Sequence, residues 1–567
     1  MASQSSIAAN QRRRGARANA STRTKPDATH QAGAVTLRRL AVAALVMEGF
    51  FLALWAVAPL GGVTQSRSPL VAVWPWLLAP ARVIFGETLV AASVPPADGW
   101  LQLALFALLL VGAALAASWG LLIVRRSAEP PYALALALGT TALFALTLAL
   151  LPSLPSDDLF SYILYGRISA VHHANPLVVL PSDFPHDPFL QMVYWRDVRS
   201  VYGPVWLALS GSLSLVAEAF GGSLAVYTAL FKLLGVAAHL LNAWLVWLIL
   251  GRLAPKARLL GTLFYAWSPL CLLEFGASAH NDALMLTFLL LGVYCLTRGT
   301  TGTTGWDAAA MVAFGLSIAT KYVPLALIPL YVALVIWSVR GRGASWRETL
   351  GAVAWRGALL GGTILLALAP YWAGPQTINA LLFSPPAQQL DNSLLESLSW
   401  PLRWLAEGVG LSHTAAKSLV EKLLKVAALL AFLALYVWEF RRARTLPGML
   451  AGWGWILLWY ALVASGWFWP WYVTWAVGVV ALCAWGRLSV ATLLLAGGAL
   501  TLYGFLPLQS SPVYGYRSLV AFGPALIYLL WQVWLRRNAL RAELAGTLIG
   551  IRAWVGARVA MLRQAAG

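Results

Sequence analysis

Charge is the first thing this chain lacks. Of its 567 residues, 21 are Asp or Glu and 40 are Lys or Arg, together 11%, where a soluble globular protein carries roughly a quarter. A soluble chain is excluded. Cysteine is scarce too: Cys271, Cys295 and Cys483 lie in apolar stretches with no CxxC or metal-ligand spacing, so they support neither a disulfide framework nor a zinc site and read as small packing residues. Long polar linkers are also missing. Apolar stretches of about 20 residues, enough to cross a bilayer as helix, recur almost without pause from Ala41 to Leu535. With 60% hydrophobic residues and a mean hydropathy of +0.72, the sequence predicts an all-α, polytopic transmembrane helical bundle.

The charge that is present is lopsided, net +19 with a pI near 10.2. Nucleic acid is not required to explain it, because cytoplasmic loops of membrane proteins hold Lys and Arg in excess. Residues 1–39 hold eight Lys or Arg against one Asp among Ala, Ser, Gln and Thr, the composition of a disordered basic tail. The first apolar run has no clear small-residue cleavage site and reads as an ordinary first span. Basic clusters at Arg125–Arg126, Arg252–Arg258, Arg340–Arg347, Arg441–Arg444 and Arg536–Arg541 anchor the topology. Between them spans are expected near 40–60, 101–123, 133–152, 224–250, 259–276, 283–297, 307–320, 322–338, 353–372, 423–440, 450–465, 472–486, 490–508 and 518–535. That gives about 14 spans in a plasma membrane, with both termini cytoplasmic and 536–567 a basic tail or an interfacial helix. The segment 203–222 is apolar enough for another span but would invert the Arg252–Arg258 cluster, so an interfacial or re-entrant helix is expected there. Lys321 and Pro324 sit at the join of two short apolar segments, and broken helices at membrane depth survive only when buried in protein or lining a cavity.

Two long loops, 153–202 after the third span and 373–422, fall on the external face in this topology, and loops of that length are usually functional. The first opens with Ser156-Asp157-Asp158. Adjacent carboxylates at a membrane boundary repel, so one is expected to hold a raised pKa, as a general base requires; the competing reading is a helix N-cap. Arg196 and Arg199 are suited to phosphate oxygens, or else to an ordinary pair with Asp197. His172, His173 and His186 lack metal-ligand spacing. His280-Asn281-Asp282 falls at a turn on the same face, and Trp467 to Tyr472 reads as an aromatic belt at the membrane surface. Carboxylates, a lysine and arginines gathered at one boundary describe a site for a lipid-linked phosphate beside an acid that activates a hydroxyl.

Taken in order, Asp157-Asp158, Tyr162, Tyr165-Gly166-Arg167, Asn175-Pro176, Tyr202-Gly203-Pro204-Val205-Trp206, His280-Asn281-Asp282-Ala283-Leu284, Thr320-Lys321-Tyr322-Val323-Pro324 and Trp469-Pro470-Trp471-Tyr472 resemble the GT-C glycosyltransferases. Within them the chain is most similar to the polyprenol-phosphate-mannose-dependent α-mannosyltransferases of actinobacterial mannan and lipomannan synthesis, over roughly residues 130–535. The resemblance implies one membrane domain, 40–535, with a polyprenyl-phosphate sugar as donor and a glycan or glycolipid as acceptor. It implies Asp157 or Asp158 as catalytic base, and Lys321, Arg167, Arg196 and Arg199 around the donor phosphate. Tyr162, Tyr202, His280, Asn281, Asp282 and Asn392 become substrate-binding positions. No metal or cofactor is required, although a divalent ion at Asp157/Asp158 stays open, as does the role of the 61–100 loop. Two other classes compete: a lipid-linked glycan polymerase or ligase, and a transporter or flippase. The second should show inverted repeats and midplane polar groups, and neither is evident.

Overall fold

The computed structural model describes residues 25–60, 63–91, 100–127, 129–299, 304–378, 390–505, 508 and 512–538. The expected tails over 1–24 and 539–567, and positions 379–389 of the second long loop, lie outside the described residues. Helix is nearly the whole of the fold, because a backbone in hydrocarbon must satisfy its polar groups within each segment. Among the described residues, nine helices are long and apolar enough to cross a membrane, including Gly33–Val57, Leu101–Arg126, Leu224–Leu253, Trp346–Tyr371 and His413–Phe440. The chain is thus a multi-pass membrane protein. Each of the fourteen expected spans coincides with a helix or a helix pair, several of them short: Ala133–Ala149, Asp282–Arg298, Thr304–Thr320 and Tyr472–Val480. The first helix begins at Lys25, inside the stretch expected as tail.

Local chemistry sets the boundaries. Ser345 caps Trp346–Leu368 and Glu348 closes a reciprocal capping box. Ser223 and Ser412 cap Leu224–Leu253 and His413–Phe440. The expected span 259–276 is broken: Pro255–Ala266 and Pro269–Ala277 meet at 49°, because Pro269 cannot continue the ladder and Ser268 caps the second half. That half ends in a π-turn, Leu273–Ala277. The join at Lys321 is also broken, with a 3₁₀ turn Val323–Leu327 between Thr304–Thr320 and Ile328–Arg340.

The core is one large cluster reaching from Leu40 to Leu529, with a second beneath the first long loop around Tyr162, Trp206 and Phe231. Trp346–Leu368 and His413–Phe440 turn Leu365, Leu366, Leu423 and Leu430 outward, the pattern of a lipid-facing surface. Pro204–Ala219 is a helix of 16 residues, short of the roughly 20 a span needs. It packs through Ser210 on Gly166 of Asp158–Ala170, where an added Cβ would lie 2.5 Å from the Ser210 carbonyl. One small sheet exists among the described residues: Ser66–Arg67 pairs antiparallel with Ser153–Leu154. This ties the 61–100 loop, whose role the sequence left open, to the residues just ahead of Asp157.

Candidate active site

A cavity of about 440 Å³ opens where the first long loop meets the helix ends. It is lined by Gln65, Ser156, Asp157, Asp158, Ser161, Tyr165, Tyr194, Trp195, Val198, Val201, Tyr202, Lys321, Asp391, Trp467, Trp469, Trp471, Tyr472 and Tyr514. The two carboxylates stand at the start of helix Asp158–Ala170, yet neither acts as a simple cap. Asp157 occupies the N-cap position with no side-chain capping bond. Its Oδ1 is buried without a hydrogen-bond partner among the described residues. Its backbone N–H donates to Gln65 Oε1 at 3.0 Å. Burial pushes the Asp157 pKa up, a hydrogen bond from Ser66 pulls it down, and the charge of Asp158 adds to the rise.

Asp158 faces different partners. Its Oδ2 accepts from the Tyr202 hydroxyl at 3.4 Å and lies 3.7 Å from His280 Nε2. His280 sits in the turn ahead of Asp282–Arg298, its Nδ1 2.9 Å from Glu274 Oε2 and its ring stacked on Trp471 at 4.2 Å. Burial alone would lower the His280 pKa, but Asp158 and Glu274 together raise it to about 9. Tyr503 donates to the second Glu274 oxygen. The backbone is strained here, since Ala279 holds φ 57°, a left-handed conformation that costs a non-glycine residue about 1–2 kcal/mol.

Lys321 is the one lysine or arginine among the described cavity-lining residues. Its Nζ lies 2.8 Å from both carboxylate oxygens of Asp282, and Trp475 donates its indole N–H to the same carboxylate. The Tyr202-Gly203-Pro204 motif reaches this point directly: the Gly203 N–H donates to the Thr320 carbonyl at 3.1 Å. A Cβ on Gly203 would lie 2.1 Å from the Ala319 carbonyl oxygen, so only glycine admits this approach.

The other expected site residues lie elsewhere. Arg167 is buried under the loop, held by Asp187 at 2.8 Å and Glu218 at 2.5 Å, with its guanidinium over Phe189. Arg196 donates to the Val193 and Gln191 carbonyls and Arg199 to that of Val178. These three arginines brace the loop; none lines the cavity. Tyr162 is fully buried against Tyr202 and Trp206, each at 5.0 Å, and supports the acidic turn from beneath. Asn281 is buried with both side-chain polar atoms unpartnered among the described residues. Asn392, at φ 52°, points its Oδ1 at Arg517 Nε, 2.6 Å away. Arg517 also binds Asp391 and Glu396, and among the described residues of the second loop it is Asp391 that lines the cavity.

Several contributors escaped the sequence reading. Glu274 carried a usable signal, an acid inside an apolar run, which is a functional candidate by default. Arg517 and Gln65 carried none, because only the fold brings them here. Trp467, Trp469 and Trp471, expected as a belt, line the cavity. Among the described residues, no group of three or more His, Cys, Asp or Glu side chains is placed to hold a metal ion.

Residues 85–339 match the model of a family described as alpha-(1->6)-mannopyranosyltransferase, N-terminal domain. That stretch contains Asp157, Asp158, Glu274, His280, Asp282 and Lys321. The mannosyltransferase resemblance read from the sequence is borne out. A curated relative, alpha-(1->6)-mannopyranosyltransferase B of Corynebacterium glutamicum, is 31% identical over 157 residues, 26% of this chain and 24% of the relative. The match thus spans about a quarter of that relative's length. No solved structure matches the chain significantly. The cavity walls from Asp391, Trp467 to Tyr472 and Tyr514 lie beyond the family match.

Proposed function

We propose that the chain is an integral-membrane glycosyltransferase that moves a hexose, mannose by its family resemblance, from a polyprenyl-phosphate donor to a glycan or glycolipid acceptor on the external face. The observation that carries the reading is the placement of Asp157, Asp158 and Lys321 on one cavity at the helix ends. A carboxylate with raised proton affinity and a cation within one cavity are what a base and a leaving phosphate need.

Asp157 is the base in this reading. It takes the proton of the acceptor hydroxyl while the acceptor oxygen bonds to C1 of the donor sugar and the C1–O bond to phosphate breaks. The bonding pair leaves with the polyprenyl phosphate, and C1 inverts. Asp158, which accepts from Tyr202 and is flanked by His280, adds through its charge to the proton affinity of Asp157. An ammonium has three N–H donors; Asp282 engages Lys321 through two oxygens and leaves the third donor for the phosphate, whose charge grows as the bond breaks. Arg167, Arg196 and Arg199 drop out as phosphate ligands. The reading invokes no cofactor, and a divalent ion stays an alternative for the phosphate.

Purified protein supplied with radiolabelled polyprenyl-phosphate-mannose and an oligomannoside should form a longer glycan. Asp157→Asn should lower the rate at least about 100-fold; full turnover in Asp157→Asn would remove the base assignment, and full turnover in Asp158→Asn as well would remove the acidic pair from the chemistry.

A further inference from the structure

Six rings run in an unbroken file along the cavity. Tyr194 meets Trp195 with centroids 4.9 Å apart, Trp195 meets Trp467 at 6.2 Å, and Trp467 meets Trp469 at 6.1 Å. Trp469 then stacks on Trp471 at 5.1 Å with planes only 9° apart, and Trp471 stacks on His280 at 4.2 Å. The outer end is open, Tyr194 being 75% exposed, and the inner end is closed, His280 being 1% exposed beside Asp158. All five Tyr and Trp rings line the cavity.

A membrane-surface belt does not account for this arrangement. Belt aromatics project separately into the headgroup layer, whereas the five Tyr and Trp rings converge from two distant segments on one cavity and on one another. Trp195 and Trp467 are in ring contact, so nothing fits between them and the file acts as a continuous wall.

We propose that this wall is the acceptor subsite, holding several hexopyranose units of a glycan chain with the reacting hydroxyl at the Asp157–Asp158 end; the inference rests on the glycosyltransferase reading above. A pyranose presents a face of C–H bonds rimmed by hydroxyls. The C–H face suits the electron-rich faces of the outer rings, Tyr194, Trp195 and Trp467, whose mutual contacts are edge-on or tilted, while Trp471, stacked between Trp469 and His280, backs the inner end. Asp391 and Gln65, also on the cavity wall, suit the hydroxyl rim. Ligand sites commonly combine aromatic walls with a few placed polar groups in this way. The donor's prenyl chain is the less favoured occupant. It needs an apolar path into hydrocarbon, while the outer end of the file lies on a polar stretch, Tyr194-Trp195-Arg196-Asp197.

The test uses full-length protein in detergent, with α-linked mannotetraose as acceptor and probe. Wild type should show a KM that falls with acceptor length, and Trp195→Ala and Trp467→Ala should each raise the tetrasaccharide KM about 10-fold while the donor KM stays within about twofold, the pattern of lost acceptor binding. Trp195→Phe and Trp467→Phe, which keep an aromatic face, should bring the tetrasaccharide KM most of the way back to the wild-type value. Mannotetraose alone should quench the tryptophan fluorescence of wild type and fail to quench that of the double alanine variant. Quenching without any turnover by wild type would overturn the transferase reading and keep the subsite. An unchanged tetrasaccharide KM in both alanine variants, or a donor KM rising in parallel, would overturn the subsite and leave the transferase reading standing.

Discussion

Lys321 Nζ lies equidistant, at 2.8 Å, from the two carboxylate oxygens of Asp282, a fully buried acid that also accepts from Trp475. This pair fixes the cation at the cavity wall. Lys321→Ala is expected to reduce the transfer rate about 100-fold or more, the usual loss when a charge-stabilising donor is removed. Asp282→Asn strands a mostly buried ammonium and should destabilise the fold by about 3–5 kcal/mol, read as a lower melting temperature of the solubilised protein. Excess EDTA should leave wild-type turnover unchanged; a loss restored by added Mg²⁺ or Mn²⁺ would assign the phosphate to a metal instead.

His280 lies between two carboxylates, and its proton contributes to stability with a definite sign. Its pKa rises from 6.5 to about 9 on folding, so the contribution is complete below pH 6.5 and disappears as pH climbs through 9. The melting temperature should therefore fall across pH 6.5–9. Glu274→Gln removes one of the two raising charges, so this fall should move to lower pH. An identical profile in wild type and Glu274→Gln would break the link between Glu274 and His280.

Asp157 should govern the acid limb of the rate profile. Burial and Asp158 raise its pKa while the Ser66 hydrogen bond lowers it. A base must be deprotonated, so kcat/KM should decline with acid above the ordinary Asp range near 3.9. Ser66→Ala removes the one lowering influence and should shift the limb to higher pH. A limb that shifts to lower pH, or vanishes in Asp157→Asn without loss of rate, would contradict the assignment.

Gly203 brings the Tyr202 turn onto the backbone ahead of Lys321. Because a Cβ there would meet the Ala319 carbonyl oxygen at 2.1 Å, Gly203→Ala must push the two segments apart. Even a displacement of about 1 Å at a reacting site can cost about 100-fold, so kcat should fall by roughly that factor. The Gly343→Ala variant is the contrast: its added Cβ meets nothing within 4 Å, so it should leave turnover intact despite a positive φ.

Apolar run length and scarce charge determined the helical membrane bundle, because a stretch that buries its own backbone polar groups in lipid has almost no other conformation. The acidic turn, the break at Lys321 and the His280-Asn281-Asp282 turn were legible for the same reason: ionisable groups in or beside apolar runs need a special setting to survive. Partnership was not legible. Arg167, Arg196 and Arg199 look alike in sequence to a phosphate ligand, and only the packing shows that Asp187, Glu218 and loop carbonyls engage them. Glu274 to His280, Arg517 to Asn392, Gln65 to Asp157 and Trp195 to Trp467 join residues from separate segments, most of them far apart in the chain. Periodicity and local propensity report what a residue does to its own helix or turn. Which charge meets which, and which rings share a cavity, is set by how the helices pack, and the tertiary structure alone decided it.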